Sequence, residues 1–508
     1  KFDVLRQRGL GHIKDTVEIV RKNRGVEIDI GRTRDFMKDP AVTALLQQGR
    51  AMGCFYVESP ATRGLLKKLE CSDYITLVAA SSIIRPGVAR SGMMRTYIER
   101  HHAVKHGGTY EALHPLMDEL MKETYGVMVY QEDVIKVAHE FAGLTLAEAD
   151  ILRRGMSGKF RSRKEFQRVE EQFFKNCKAR GYPDAVIERV WFEIESFSGY
   201  SFSKGHSASY AVESYQSLYL KAHYPLEFMV GVINNFGGFY HTEFYFHEAR
   251  MDGADIQAPC INRGEYLTSI RGSTVYIGFI HLKSLEAKLG EAIPEERERN
   301  GPFKGMDDFI RRMPVHLEQL RILIRVGAFR FTGKTKPALL WEAMLYFGEK
   351  KANHYTPDLF NTDLTTYPLP VLERAGFEDA YDELELIGFP LCDPFLLVET
   401  DCFGEVVARD LPAKTGSRVE IVGYLVTVKN TGTKDGKHMF FGTFYDREGR
   451  VFDTVHFPGQ AKEYPMRGRG FYRIRGKVAD DFGMPSIEVD YMEKLPMVSK
   501  AGVVMEEI

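Results

Sequence analysis

A change in the period of the apolar residues limits how this chain can fold more than any other feature. Over residues 109–235 they recur at helical spacing, with long amphipathic segments at 132–141 and 210–222 and a break at Tyr224-Pro225. Helical spacing resumes over residues 282–347. From Arg418 the period falls to two: Val419/Ile421, Tyr472/Ile474/Val478 and Ile487/Val489 alternate with polar neighbours. A helix-period pattern does not settle as a strand, so the two regions are expected to fold separately. Between them, residues 348–370 are polar and carry Pro357, Pro368 and Pro370, which reads as a linker. The expected fold class is multidomain α+β, mostly helical regions followed by an all-β barrel of about 80 residues. Its turn signals stand at Lys434-Asp435-Gly436-Lys437 and Arg447-Glu448-Gly449.

Nearer the start, Ile13, Val17 and Val20 share one helical face, and Asp39-Pro40 opens a helix over residues 41–48. The 508 residues suit about three or four domains at roughly 150 residues each. With 44% hydrophobic and 27% charged residues, disorder and fibrous folds are excluded. No apolar run approaches the ~20 residues that span a bilayer, so no membrane partner is expected. Six scattered cysteines without a CxxC pair argue against a disulfide scaffold and fit a reducing cytoplasm. The opening Lys1-Phe2-Asp3 reads like the middle of a strand, which suggests a piece of a longer protein. A net charge of −2 is uninformative, but residues 152–169 hold seven Lys/Arg against one acid, Glu165.

That basic stretch contains Arg153-Arg154-Gly155 and then Gly158-Lys159-Phe160-Arg161. Gly155 and Gly158 are expected to interrupt the helix inside this charged run. The adjacent arginines beside a glycine-bearing turn can then surround a polyphosphate with fixed donors, whereas a plain solvated helix would gain nothing from the glycines. Ser203-Lys204-Gly205-His206-Ser207-Ala208-Ser209-Tyr210 combines stacking aromatics, small residues and two donors, Lys204 and His206. It reads equally as a turn capping a helix that starts near Ser209, with Ser207 or Ser209 as the cap. Arg85-Pro86-Gly87 is a tight turn that could project Arg85 and Arg90, and taken alone it reads as an ordinary surface turn. His101, His102, His106 and His114 lack ligand spacing with nearby acids and are expected to be structural or surface residues. In the barrel, Lys429, Lys434, Lys437 and His438 cluster near the first hairpin, followed by Phe440, Phe441 and Phe444, one of which could be exposed for base stacking.

These segments resemble the bacterial DNA polymerase III alpha subunits, the C-family polymerases, in their C-terminal half. The resemblance rests on Lys1-Phe2-Asp3, Gly53-Cys54-Phe55-Tyr56-Val57-Glu58-Ser59, Arg85-Pro86-Gly87 and Glu123-Thr124-Tyr125-Gly126-Val127-Met128-Val129-Tyr130-Gln131-Glu132. It continues through Ala149 to Met156 and Lys204 to Tyr210. It implies the end of a palm at 1–35, fingers at 36–275, and a tandem helix-hairpin-helix region at 276–350. A linker at 351–372, a connector at 373–416 and an OB domain at 417–495 would follow. Asp3 matches the palm's third metal-binding aspartate, a ligand for Mg²⁺, and the family's Asp-x-Asp pair would lie upstream. Arg153, Arg154, Lys204 and His206 fall on fingers positions that face the incoming nucleotide, and Arg85 and Lys159 are expected to bind the nucleotide with them. Asp358-Leu359-Phe360 resembles the peptide that docks into a sliding clamp, with Thr356 at the usual Gln position. An apolar pair tucked onto a neighbouring domain fits that segment as well.

The expected function is template-directed DNA synthesis, of replicative or translesion type. The partners would be primer–template DNA, dNTP, single-stranded template on the OB domain through Lys429, Lys434 and Lys437, and a sliding clamp. With part of the palm absent, the chain alone is expected to be inactive. The alternative is a non-catalytic DNA-binding module that keeps the same surfaces.

Overall fold

A computed structural model describes residues 8–84, 91–156, 163–196, 203–352, 376–400, 402–433 and 436–499. They fall into two compact units. One spans Asp29–His223; the other takes in the helix Arg8–Arg24 and most of the chain after Tyr224.

The first unit is helical, and its sequence supplies the start signals. Asp39 caps the helix Pro40–Gln47 by accepting from the Ala41 and Val42 amides at 2.8 and 3.1 Å, one residue ahead of the expected start. Ser59 and Asp73 cap Pro60–Lys68 and Tyr74–Ile83 in the same way. The last of these is built from small and apolar residues and is buried from Thr76 to Ile83. Its serines are satisfied locally: Ser81 and Ser82 donate to the Val78 carbonyl, both at 2.9 Å. The helix Lys204–His223 packs against it and against Pro40–Gln47 and Thr33–Phe36. The expected amphipathic segment at 132–141 is helical, but it changes from α (Gln131–Lys136) to π (Val137–Phe141).

One buried acid in this unit has a measurable consequence. Glu213 is only 7% exposed, its Oε1 has no hydrogen-bond partner, and burial raises its pKa from 4.5 to about 7. Because the folded-state value is raised, the stability linked to this group is fully present below about pH 4.5 and is lost as pH rises through 7. Glu213→Gln removes the titration. The variant should gain about 1–2 kcal/mol over the parent between pH 5 and 8, read as the difference in thermal midpoints. Parallel midpoint-versus-pH curves for the two proteins would refute this.

In the second unit the helix Arg8–Arg24 lies along Pro225–Asn234. Gly231 permits the close approach, since a Cβ there would sit 2.3 Å from Thr16 Oγ1 and 3.1 Å from the His12 carbonyl. Glu227, whose side chain is fully buried, accepts from Asn23 and from Nε and Nη2 of Arg24 at 2.6–3.0 Å. Three short strands follow. β1 (Asp255–Gln257) pairs parallel with β3 (Thr274–Tyr276), which pairs antiparallel with β2 (Ser269–Arg271). Helices Ala287–Asn300, Met306–Arg312, Leu317–Arg325 and Lys336–Ala352 complete this part. The last of them runs into the expected linker, because the polar residues 348–352 are good helix formers apart from Gly348.

The C-terminal strands are β4 (Arg418–Gly432), β5 (His438–Tyr445), β6 (Val451–His456), β7 (Phe471–Asp481) and β8 (Met484–Lys494). They close in the order β4-β5-β6-β8-β7, with β6 and β8 parallel and a helix, Pro458–Glu463, between β6 and β7. This is the connectivity of an OB barrel. The alternation read from the sequence fills its interior: Val419, Ile421, Phe444, Phe452, Tyr472, Ile474, Val478, Ile487 and Val489 form one buried cluster.

Candidate functional site

The segment from Glu123 to Glu132 organises the site. Tyr125 and Gly126 both take positive φ, 57° and 70°, so the chain reverses sharply there. The following residues then enter the helix Gln131–Lys136. Buried Asp133 fixes that entry by accepting from the Val129 and Tyr130 amides, both at 2.9 Å. Four side chains of the segment reach the two basic elements. Glu123 pairs with the Lys204 ammonium, which also lies 5.4 Å over the Tyr130 ring. Glu132 accepts the Lys204 backbone amide at 3.0 and 3.2 Å. Gln131 accepts from Arg153 Nη1 at 3.3 Å.

Arg153 and Arg154 close the helix Leu146–Met156, where basic residues complement the carbonyl end of the helix dipole. Both guanidinium groups turn to Asp150. Arg153 reaches Oδ1 through Nε at 2.9 Å and Nη2 at 2.8 Å, and Arg154 Nη2 reaches Oδ2 at 2.8 Å. Arg154 keeps 55% of its side chain exposed. Gly155 does not interrupt this helix as expected; it is buried and helical, because the local cost of glycine, about 1 kcal/mol, is overridden by packing. The structure thus joins Arg153 and Lys204 through a segment that residue chemistry alone did not single out. The available signal was that Glu123, Tyr130, Gln131 and Glu132 stand within one of the stretches that carry the family resemblance.

The helix bearing Lys204 and His206 begins at Lys204 rather than near Ser209. Ser203 is its cap, its Oγ accepting from the His206 amide at 3.3 Å. Ser207 instead is fully buried and bonds Ser82 Oγ at 2.7 Å, and Ser209 donates back to the Gly205 carbonyl. The Glu132 carboxylate already sits at the positive end of this helix, taking the Lys204 amide. His206 packs its ring on Tyr210 at 3.9 Å between centroids.

Of the four histidines expected to be structural or surface residues, His102 and His106 bond backbone carbonyls, of Lys68 and His102. Buried His101 bridges the Leu69 carbonyl and the Tyr125 hydroxyl at 2.9 and 3.1 Å, and His114 caps a helix by accepting from the Leu116 amide. All six cysteines are free thiols. Asp3, Arg85, Lys159, Lys434, Asp358, Leu359 and Phe360 lie outside the described residues. Among the described residues no three His, Cys, Asp or Glu side chains are grouped to hold a metal ion. No described helix is long and apolar enough to cross a membrane.

In the barrel, Lys429 and Lys437 are exposed. Of the three phenylalanines, Phe440 and Phe444 are buried while Phe441 is 42% exposed, on the outward face of β5 opposite Lys429 of β4 and Val455 of β6. Phe457, just past β6, is a second exposed aromatic, which the sequence pattern did not distinguish from a core residue.

Residues 9–181 match the family described as the bacterial DNA polymerase III alpha subunit finger domain, and residues 253–339 match a helix-hairpin-helix motif. The chain is 30% identical to the DNA polymerase III alpha subunit of Thermus aquaticus, with all of the chain and 42% of that protein covered. It is 32% identical to the alpha subunit of Treponema pallidum, over 90% of the chain and 40% of the relative. The value is also 32% for that of Staphylococcus aureus (strain MRSA252), over 91% and 43%. The chain therefore spans about two fifths of the length of these relatives.

Proposed function

The chain belongs to the bacterial DNA polymerase III alpha-subunit family, and from that premise we propose that it carries the nucleotide-gripping fingers and the DNA-tracking modules of a template-directed DNA polymerase. The reaction is attack of a primer 3′-hydroxyl on the α-phosphate of a dNTP, releasing pyrophosphate. The observation that supports it is that Arg153 and Lys204 are both held by the Glu123–Glu132 segment, with Arg154 beside Arg153 on Asp150, a set of fixed cationic donors suited to a triphosphate. In this reading Arg85, Lys159 and His206 assist the same grip, and the helix-hairpin-helix region tracks the duplex backbone. Lys429, Lys434 and Lys437 with the exposed aromatics of the barrel hold single-stranded template.

Two Mg²⁺ ions would neutralise phosphate charge in the complete enzyme, with Asp3 as one ligand among several carboxylates. One carboxylate does not hold two such ions, since sites of this kind use several acidic ligands. A primer-extension assay tests both parts. The complete polymerase should extend a labelled primer on a template, and this chain alone should leave it unextended. Failure of the complete protein would remove the proposed function, and extension by the chain alone would remove the assignment of its catalytic incompleteness.

A further inference from the structure

We infer that Asp150 is a positioning residue for the triphosphate grip: it draws two consecutive arginines onto one anion. The inference rests on the nucleotide reading of Arg153 and Arg154 given above.

Consecutive residues of an α-helix point about 100° apart, so Arg153 and Arg154 would by default address different regions of space. Asp150 lies three residues before one and four before the other, which is the spacing at which helical side chains meet. Its two oxygens are divided between them. Oδ1 holds Arg153 through Nε and Nη2 at 2.9 and 2.8 Å, and Oδ2 holds Arg154 Nη2 at 2.8 Å. Arg153 is held a second time by Gln131. A helix gains its surface ion pair from one such contact; sharing a single carboxylate adds convergence of the two heads. Each guanidinium has five N–H donors, so the contacts to Asp150 leave donors for a phosphate. Arginine side chains lose much rotamer freedom when they bind, and a tether that restrains them beforehand lowers that loss. The carboxylate also carries a negative charge that opposes an anion, but the trio keeps a net positive charge. The sign of the Asp150→Asn effect therefore distinguishes a positioner from a group that merely neutralises.

The test uses the complete polymerase and compares Asp150→Asn, Asp150→Glu, Arg154→Ala and the Asp150→Asn/Arg154→Ala double variant. Asp150→Asn should raise the apparent KM for dNTP by roughly three- to tenfold, less than loss of the arginine itself, with kcat and the thermal midpoint little changed. Asp150→Glu, which keeps both oxygens, should recover part of the loss. In the Arg154→Ala background Asp150→Asn should add clearly less than it does alone, because part of its effect passes through Arg154. A lowered KM in Asp150→Asn, or an unchanged KM with a lower thermal midpoint, would overturn the inference while leaving the nucleotide reading intact. Unchanged KM and unchanged kcat in Arg154→Ala would overturn both.

Discussion

In the complete polymerase, Arg154→Ala is expected to raise the apparent KM for dNTP by roughly ten- to a hundredfold, or to lower kcat if the contact forms only in the transition state. The size follows from losing one charge-assisted contact to phosphate, typically worth about 1.5–3 kcal/mol. Arg154 is the more exposed of the two arginines, with 55% of its side chain accessible against 30% for Arg153. Its removal should therefore disturb the helix end little. Primer–template affinity and its salt slope should hardly move, because a duplex-binding residue would lower that slope by about one unit. Nucleotide-dependent kinetics beside a salt titration of DNA binding separate the two roles. Weaker DNA binding with unchanged nucleotide kinetics would make this cluster a duplex-phosphate patch.

The second large effect belongs to the barrel. Phe441→Ala should weaken binding of single-stranded DNA by about 1–3 kcal/mol, roughly five- to a hundredfold, as expected for loss of one base-stacking ring. Phe441 faces outward on β5, across from Lys429 of β4 and Val455 of β6, and β5 and β6 are the second and third barrel strands, the pair that OB barrels commonly present to oligonucleotides. Its ring is 42% exposed, so truncation should spare the core that Phe444 and Phe452 fill. Lys429→Ala should instead reduce the salt slope by about 0.7, the share of one phosphate contact on a single strand. Fluorescence anisotropy of a labelled oligonucleotide at several salt concentrations reads both. Equal affinity for the parent chain and Phe441→Ala would show that the ring is an ordinary surface residue.

Much of the architecture is legible in the sequence, and particular residues show why. The period-two pattern from Val419 to Val489 names the inward residues of the barrel, since successive strand side chains alternate faces and only one face is buried. Asp39-Pro40 placed a helix start to within one residue because the cap is a local interaction. The cap of the helix bearing Lys204 was misplaced for the opposite reason. Its first amide is satisfied by Glu132, 72 residues earlier in the chain, and the local serines Ser207 and Ser209 were then free for other bonds. Gly155 was read as a break because helix propensity disfavours it, yet burial against neighbours outweighs that preference.

The candidate site divides along the same line. The sequence by itself determined the chemistry available: two arginines, a lysine and a histidine within short basic or small-residue stretches, and a barrel whose strands alternate. Those facts depend on side-chain type and on periodicities of 3.6 and 2, which neighbouring residues enforce. Only the tertiary structure decided which groups meet. It put Glu123, Tyr130, Gln131 and Glu132 between the Arg153 and Lys204 elements, turned both arginines onto Asp150, and chose Phe441 over Phe440 and Phe444 as the exposed ring. Such contacts join residues many positions apart in the chain. They form because folding satisfies buried and charged groups wherever partners can be found, and that choice is made by the whole packed molecule.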